Sequence, residues 1–259
     1  MWNEEYDIVI IGSGFAGLAA AIEARKLCSS VVILEKMAVP GGNSTISGGL
    51  FAAAGSPLQA KENIDDSPEL MLADMLAAGN NYNYRELARI VAERSTEALL
   101  WTMSELGVKY KPKLSHLGGH SVPRTYNTVN TSGAGIIRPM LVHLREMEAP
   151  IRLKSLLTDL ITDEAGGVEG VEIREDYIFP NRESGSVKRI RARQAVILAT
   201  GGFSQDKEFR AIQNPMLTED IESTNHKGAT AESLILALKA GATPVQLSMI
   251  QLGPWASRD

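Results

Sequence analysis

The stretch Ile8-Val9-Ile10-Ile11-Gly12-Ser13-Gly14-Phe15-Ala16-Gly17 decides the fold. Four apolar residues in a row read as a parallel strand buried on both faces. Gly12, Gly14 and Gly17 follow in the spacing G-x-G-x-x-G, then comes an alanine-rich helical stretch from Ala16 to about Lys26, and a second apolar run, Val31 to Leu34, ends in Glu35. Gly12 permits the tight turn, Gly14 lets main chain approach a pyrophosphate, and Gly17 lets the helix pack closely on the strand. The helix start offers N–H groups and a partial positive charge to phosphates. Glu35, about 20 residues beyond the glycines, is placed to accept hydrogen bonds from an adenosine ribose. The sum is a dinucleotide-binding α/β domain of Rossmann type, against the bland alternative of a glycine-rich turn without a ligand. These residues leave NAD and FAD both open.

The next segment, Pro40-Gly41-Gly42-Asn43-Ser44-Thr45-Ile46-Ser47-Gly48-Gly49, has no large side chain except Ile46. Such a run lets main chain lie against a flat ring system, because glycine raises no side-chain barrier. From Tyr6 to Gly49 the chain resembles the start of the fumarate reductase and succinate dehydrogenase flavoprotein family, in particular its soluble flavocytochrome-type members. The resemblance implies FAD as cofactor, contacted by Ala16, Glu35, Asn43, Ser44, Gly48 and Gly49; Lys36 and Gly42 are counted with them as cofactor-binding. Membrane-bound members attach FAD through a histidine in this segment. No His, Cys or Tyr lies between Lys36 and Gly55, so the resemblance implies FAD held non-covalently.

In the middle of the chain, Ser67-Pro68-Glu69 is a helix-start signal, and the helix is predicted to run through Leu70, Met71 and Met75 to Gly79. A longer helix is predicted from Tyr84 to Leu106, with Leu87, Ile90, Val91, Leu99, Met103 and Leu106 at helical spacing as a core stripe. Leu117 to Gly135 reads as a long glycine-rich loop, of the kind that is often functional. The family counterpart of that loop borders the flavin, and Arg124 is the substrate-side candidate, to contact the cofactor or an anionic group near it. The plainer reading makes Arg124 a surface residue bonding a loop carbonyl. His116 and His120 sit among glycines with no acid or cysteine to complete a site, so no metal is assigned. His143, in the helical stretch Ile137 to Met147, reads as structural.

Short apolar runs at Ile151–Leu153, Leu156–Ile161 and Val168–Ile173, with a polar turn near Asn181–Gly185, read as an antiparallel meander. The resemblance makes it a small β insertion over about 150–195, with main chain near Leu157 meeting the adenine. A returning strand, Ala195 to Ala199, ends in Thr200-Gly201-Gly202. Such an A-T-G-G turn recurs in FAD domains similar to this one and sets Thr200 and Gly201 beside the dinucleotide. A helix follows from about Leu234 to Lys239. Family members have G-D-G where this chain has Ala231-Glu232-Ser233, which gives Glu232 the flavin-side role of that aspartate with one more methylene of reach. At Gln251-Leu252-Gly253-Pro254-Trp255, Gly253 stands where soluble fumarate reductases carry a histidine that binds a substrate carboxylate. That departure counts against fumarate itself.

The fold class expected is therefore α/β: a Rossmann-like FAD/NAD(P)-binding domain, a parallel sheet with helices plus a small antiparallel β-meander, over residues 1–259. The resemblance implies that a capping domain with the catalytic acid, and a later return segment, lie outside this sequence, so the chain is expected to be a domain cut from a longer protein or a truncated product. No catalytic residue is assigned within it. The net charge of −5 argues against a nucleic-acid partner. Cys28 is the only cysteine, which excludes a disulfide framework. With no signal-like start and no apolar run near the ~20 residues of a membrane span, a cytoplasmic protein is expected. The activity implied is hydride transfer between flavin N5 and a carbon-carbon bond beside an electron-withdrawing group, on a small molecule such as an unsaturated carboxylate, the electron donor being open. The other expectation is a module that binds FAD and catalyses nothing; an NAD-only protein is a third.

Overall fold

The computed structural model describes residues 1–253. In chain order the elements are β1 (Glu4–Ile11), α1 (Phe15–Lys26), β2 (Val31–Leu34), α2 (Gly42–Ile46), β3 (Leu50–Ala52), α3 (Pro57–Lys61), α4 (Pro68–Ala78) and α5 (Arg85–Ser104). There follow β4 (Thr125–Asn127), α6 (Ala134–Glu146), β5 (Ile151–Arg152), β6 (Ser155–Thr162), β7 (Val168–Glu175), β8 (Ser186–Leu198), α7 (Lys207–Gln213) and α8 (Glu232–Lys239). They divide into two compact units, one of residues 1–43 with 140 onward, the other of residues 44–139. The sequence suggests one domain with a β insertion and gives no hint of the second unit.

The first unit is built on a six-stranded sheet in the order β5-β2-β1-β8-β7-β6. Val9, Ile10, Val32 and Ile33 are wholly buried, as strands covered on both faces require. β1 pairs in parallel with β2 and with β8, and Ile11 lies level with both Leu34 and Leu198. Those registers bring the carboxyl ends of three strands to one line, the place where open α/β sheets take ligands. The meander is present as β6-β7-β8, all antiparallel, with two corrections. Ile151 does not belong to it, because β5 pairs in parallel with β2. Nor is it an insertion followed by a separate return strand. β8 is one strand of 13 residues, pairing with β7 through Ser186–Arg191 and with β1 through Ile190–Leu198. Its Lys188, Arg189, Arg191 and Arg193 conceal the strand in the sequence, whereas alternating Ile190 and Ala192 are buried.

In the second unit α4 keeps its expected bounds: Ser67 caps it, accepting from Leu70 N at 3.2 Å, and Gly79 ends it. α5 corrects the sequence reading. Leu87, Ile90 and Val91 are more than half exposed and Met103 is exposed too, while Ala88, Ala92, Ser95, Leu99 and Thr102 form the buried face. Of the predicted stripe only Leu99 on the helix, and Leu106 beyond it, are buried. Small side chains let α5 come close to Ala54 and Met71, and Ser95 Oγ accepts from Ala54 N at 3.1 Å. A stripe chosen by large apolar residues misses that mode of packing. The predicted loop from Leu117 to Gly135 is also interrupted: β4 pairs antiparallel with β3, and α6 already begins at Ala134. Among the described residues no helix is long and apolar enough to cross a membrane.

Candidate functional site

At the carboxyl edge of the sheet the chain leaves β1 through Gly12, whose φ of +103° favours glycine. A Cβ there would strike the carbonyl oxygen of Ala199, and one at Gly17 would strike the carbonyl oxygen of Gly12. The turn therefore tolerates no side chain at either position. α1 starts after Gly14 with no side-chain cap and no acid in its first turn, so the positive end of its macrodipole has no carboxylate of its own. Ala16 is exposed on this start and Gly17 is buried.

Glu35 closes β2 and is buried. Its Oε2 accepts from Ser13 Oγ at 2.6 Å and from Ser13 N at 3.2 Å, and its Oε1 accepts from Met37 N at 2.9 Å. Ser13 Oγ in turn accepts from Gly41 N at 3.0 Å. Ser13 is an addition of the structure: as an x between two motif glycines it drew no notice in the sequence.

Lys36 and Glu232, singled out separately in the sequence, meet here. Lys36 Nζ donates to Glu232 Oε2 at 3.1 Å and to Thr230 Oγ1, and Arg182 Nη2 lies 3.6 Å from Glu232 Oε1. Burial pushes the Glu232 carboxyl up, but the charge of Lys36 and the Thr230 hydroxyl outweigh it and hold it below the usual value. Glu232 is the first residue of α8, two residues before the predicted start. Asn43 is engaged as well: its Oδ1 accepts from His226 N at 2.6 Å and its Nδ2 donates to Asn225 Oδ1 at 2.6 Å. Gly42 precedes it at φ +46° with open space where a Cβ would stand. Leu157 is buried in β6, an edge strand bound on one side by β7. Thr200 is half-buried, and Gly201 is exposed at φ +72°.

In the second unit, Ser44 to Gly49 is fastened to residues 128–133. Gly133 N donates to Ser47 O at 2.8 Å, Ser132 Oγ to Thr45 O at 3.1 Å, and Thr128 N to Gly49 O at 3.0 Å. Gly49 is buried, while Gly48 is exposed. Arg124 corrects both sequence readings, being neither a surface residue nor open to a ligand. It is wholly buried, with Nε and Nη2 donating to Asp66 at 3.0 and 2.9 Å and Nη1 2.8 Å from Asp74 Oδ2. Gln59 Nε2 adds a bond to Asp66 at 2.7 Å, and Ser121 N and Oγ add bonds to Asp74 at 2.8 and 2.9 Å. Burial pushes the Asp74 carboxyl up, yet the Ser121 and Arg124 bonds prevail and lower it. Burial, reinforced by Arg124, lowers His120. His116 Nε2 lies 2.6 Å from the carbonyl oxygen of His120, and among the described residues no group of three or more His, Cys, Asp or Glu is placed to hold a metal ion.

A family model described as "FAD binding domain" matches residues 7–258. The chain belongs to this family, which makes it a flavoprotein of the fumarate reductase and succinate dehydrogenase kind. Over its full 259 residues this FAD-binding chain is 49% identical to "Acrylate reductase flavoprotein subunit" of Shewanella woodyi and covers 51% of that protein. It is 33% identical over 253 residues to "Urocanate reductase" of Eggerthella lenta, with 96% of this chain and 40% of the relative covered. Among solved structures, the open conformation of a flavocytochrome c3 fumarate reductase superposes with a TM-score of 0.89 at 28% identity, covering 96% of this chain and 43% of the other. The chain thus spans about half the length of the curated relatives it matches. FAD is the cofactor of the family.

Proposed function

We propose that this chain holds the FAD of a reductase that saturates the carbon-carbon double bond of a small unsaturated monocarboxylate. The observation that carries the reading is the 49% identity along the whole chain to an acrylate reductase flavoprotein subunit. The residues fit the cofactor. The turn at Gly12, Gly14 and Gly17 takes a pyrophosphate against main chain: side chains at Gly12 and Gly17 would collide with the protein's own backbone, so glycine keeps the turn in the tight form that brings main chain to a phosphate. The uncapped start of α1 at Ala16 faces its charge. Glu35 takes the adenosine ribose: a carboxylate has about four acceptor positions, and three donors are assigned to this one. Main chain at Leu157, Thr200 and Gly201 is assigned to the same cofactor, as are Gly42 and Asn43; Ser44, Gly48 and Gly49 are given their cofactor role by the family resemblance alone. Lys36 and Glu232 act as a neutralised pair rather than as two independent contacts.

Bound FAD supplies hydride exchange at N5. The protein's share within residues 1–253 is binding and orientation; no acid among them is assigned to protonate the second carbon. Arg124 has no part in substrate binding. Gly253 offers no side-chain donor where soluble fumarate reductases place a histidine, which favours a substrate with a single carboxylate; Pro254 and Trp255 of the same segment lie outside the described residues. FAD is held without a covalent bond, and the protein works in the cytoplasm. The test is an absorption spectrum before and after acid precipitation, followed by turnover of acrylate, fumarate and urocanate with a reduced dye. The expected result is a yellow protein that releases its flavin and reduces acrylate faster than fumarate. Yellow protein without turnover would instead favour the non-catalytic module, and a protein that takes up no FAD would overturn both.

A further inference from the structure

Ser13 lies inside the phosphate-binding turn, yet its side chain is wholly buried and so does not meet a ligand. Its bonds run inward instead. The hydroxyl donates to Glu35 Oε2 at 2.6 Å, its own N–H reaches the same oxygen at 3.2 Å, and the hydroxyl accepts from Gly41 N at 3.0 Å. Met37 N holds the other oxygen, Oε1, at 2.9 Å. The terminal torsion of a glutamate is intrinsically broad. Here both oxygens are pinned from different sides, so the carboxylate cannot swing without breaking these bonds. The short Oγ–Oε2 distance marks a charge-assisted bond, roughly twice as strong as a neutral one.

We infer that Ser13 is a positioning residue for the cofactor: its hydroxyl fixes the Glu35 carboxylate so that the remaining acceptor position is presented to the adenosine ribose. The same hydroxyl, through Gly41, anchors the entry to the small-residue run. The inference rests on the reading of Glu35 as the ribose acceptor given above. It explains why a hydroxyl occupies a turn in which an alanine would be the smaller apolar choice.

The experiment compares calorimetric Kd values of the apoprotein for FAD and for an FAD analogue whose adenosine ribose lacks both hydroxyls, in wild type, Ser13→Ala, Ser13→Thr and Glu35→Ala. Unfolding curves establish that each variant is folded. Wild type is expected to prefer FAD by about tenfold or more, the worth of one hydrogen bond to a charged group. Ser13→Ala should bring that ratio close to one, as Glu35→Ala does, and Ser13→Thr should retain it. A general loss of affinity with the ratio intact would mark a merely structural serine. If Ser13→Ala keeps the wild-type ratio while Glu35→Ala loses it, the inference falls and the ribose reading stands. If wild type shows no preference at all, the ribose reading fails and takes the inference with it.

Discussion

The buried polar network around Glu35 and the one around Arg124 differ in what they leave unspent. At Arg124 every charge has its partner inside: one guanidinium meets two carboxylates, and Gln59 and Ser121 occupy further lone pairs. That arrangement ties α4 to the segments before and after it and has nothing to offer a ligand. At Glu35 the three donors come from Ser13 and Met37, and no cation is among them. A carboxylate fixed in place but not neutralised is suited to receive hydroxyl donors. The comparison sets carboxylates balanced by a cation against one whose three donors are all neutral, a difference that burial and the number of hydrogen bonds do not reveal.

The comparison breaks first at Arg124. Arg124→Met strands the buried carboxylate of Asp66 and the partly exposed one of Asp74 and is expected to cost about 3–5 kcal/mol in urea unfolding, with the FAD affinity of the folded fraction unchanged; a weakened Kd in folded protein would return Arg124 to the site. Glu35→Ala is expected to do the reverse in character, weakening FAD binding about 10–100-fold by calorimetry. Acidity sharpens the same contrast. The Asp74 carboxyl is lowered in the folded state from its ordinary 3.8, so its stabilisation is complete above that value and is lost as the pH falls through the lowered one. Urea midpoints of wild type and Asp74→Asn should therefore differ by a constant amount at neutral pH and converge at the acid end, with a total effect below that of Arg124→Met. The smallest change concerns α5: Leu87→Ala, at an exposed position, is expected to shift stability by no more than about 0.5 kcal/mol, against about 2–5 kcal/mol for Leu99→Ala at the buried face.

The order of elements at the start was legible because each step has a local cause. The glycine spacing, the run Ile8 to Ile11 and the acid at 35 follow from backbone sterics and from burial on both faces of a parallel strand. Helix ends at Ser67 and Gly79 were legible for the same reason. Long-range features were not. That β8 is one strand depends on pairing Ile190–Leu198 with β1, from Glu4↔Ile190 to Ile11↔Leu198 and so far apart in the chain, and its arginines look like turn material until their neighbours are known. The buried face of α5 is lined by Ala88, Ala92 and Ser95, which carry no hydrophobic signal of their own. Arg124 looked like a ligand contact because sequence shows a charge and not its counter-charge, and only folding placed Asp66 and Asp74 against it. Ser13 was silent for the same reason, since its meaning lies in Glu35. The sequence by itself determined the glycine turn after β1, a matter of which residues permit a given backbone. The tertiary structure alone decided which charges are spent on one another and which face outward, because pairing is a property of distance in space.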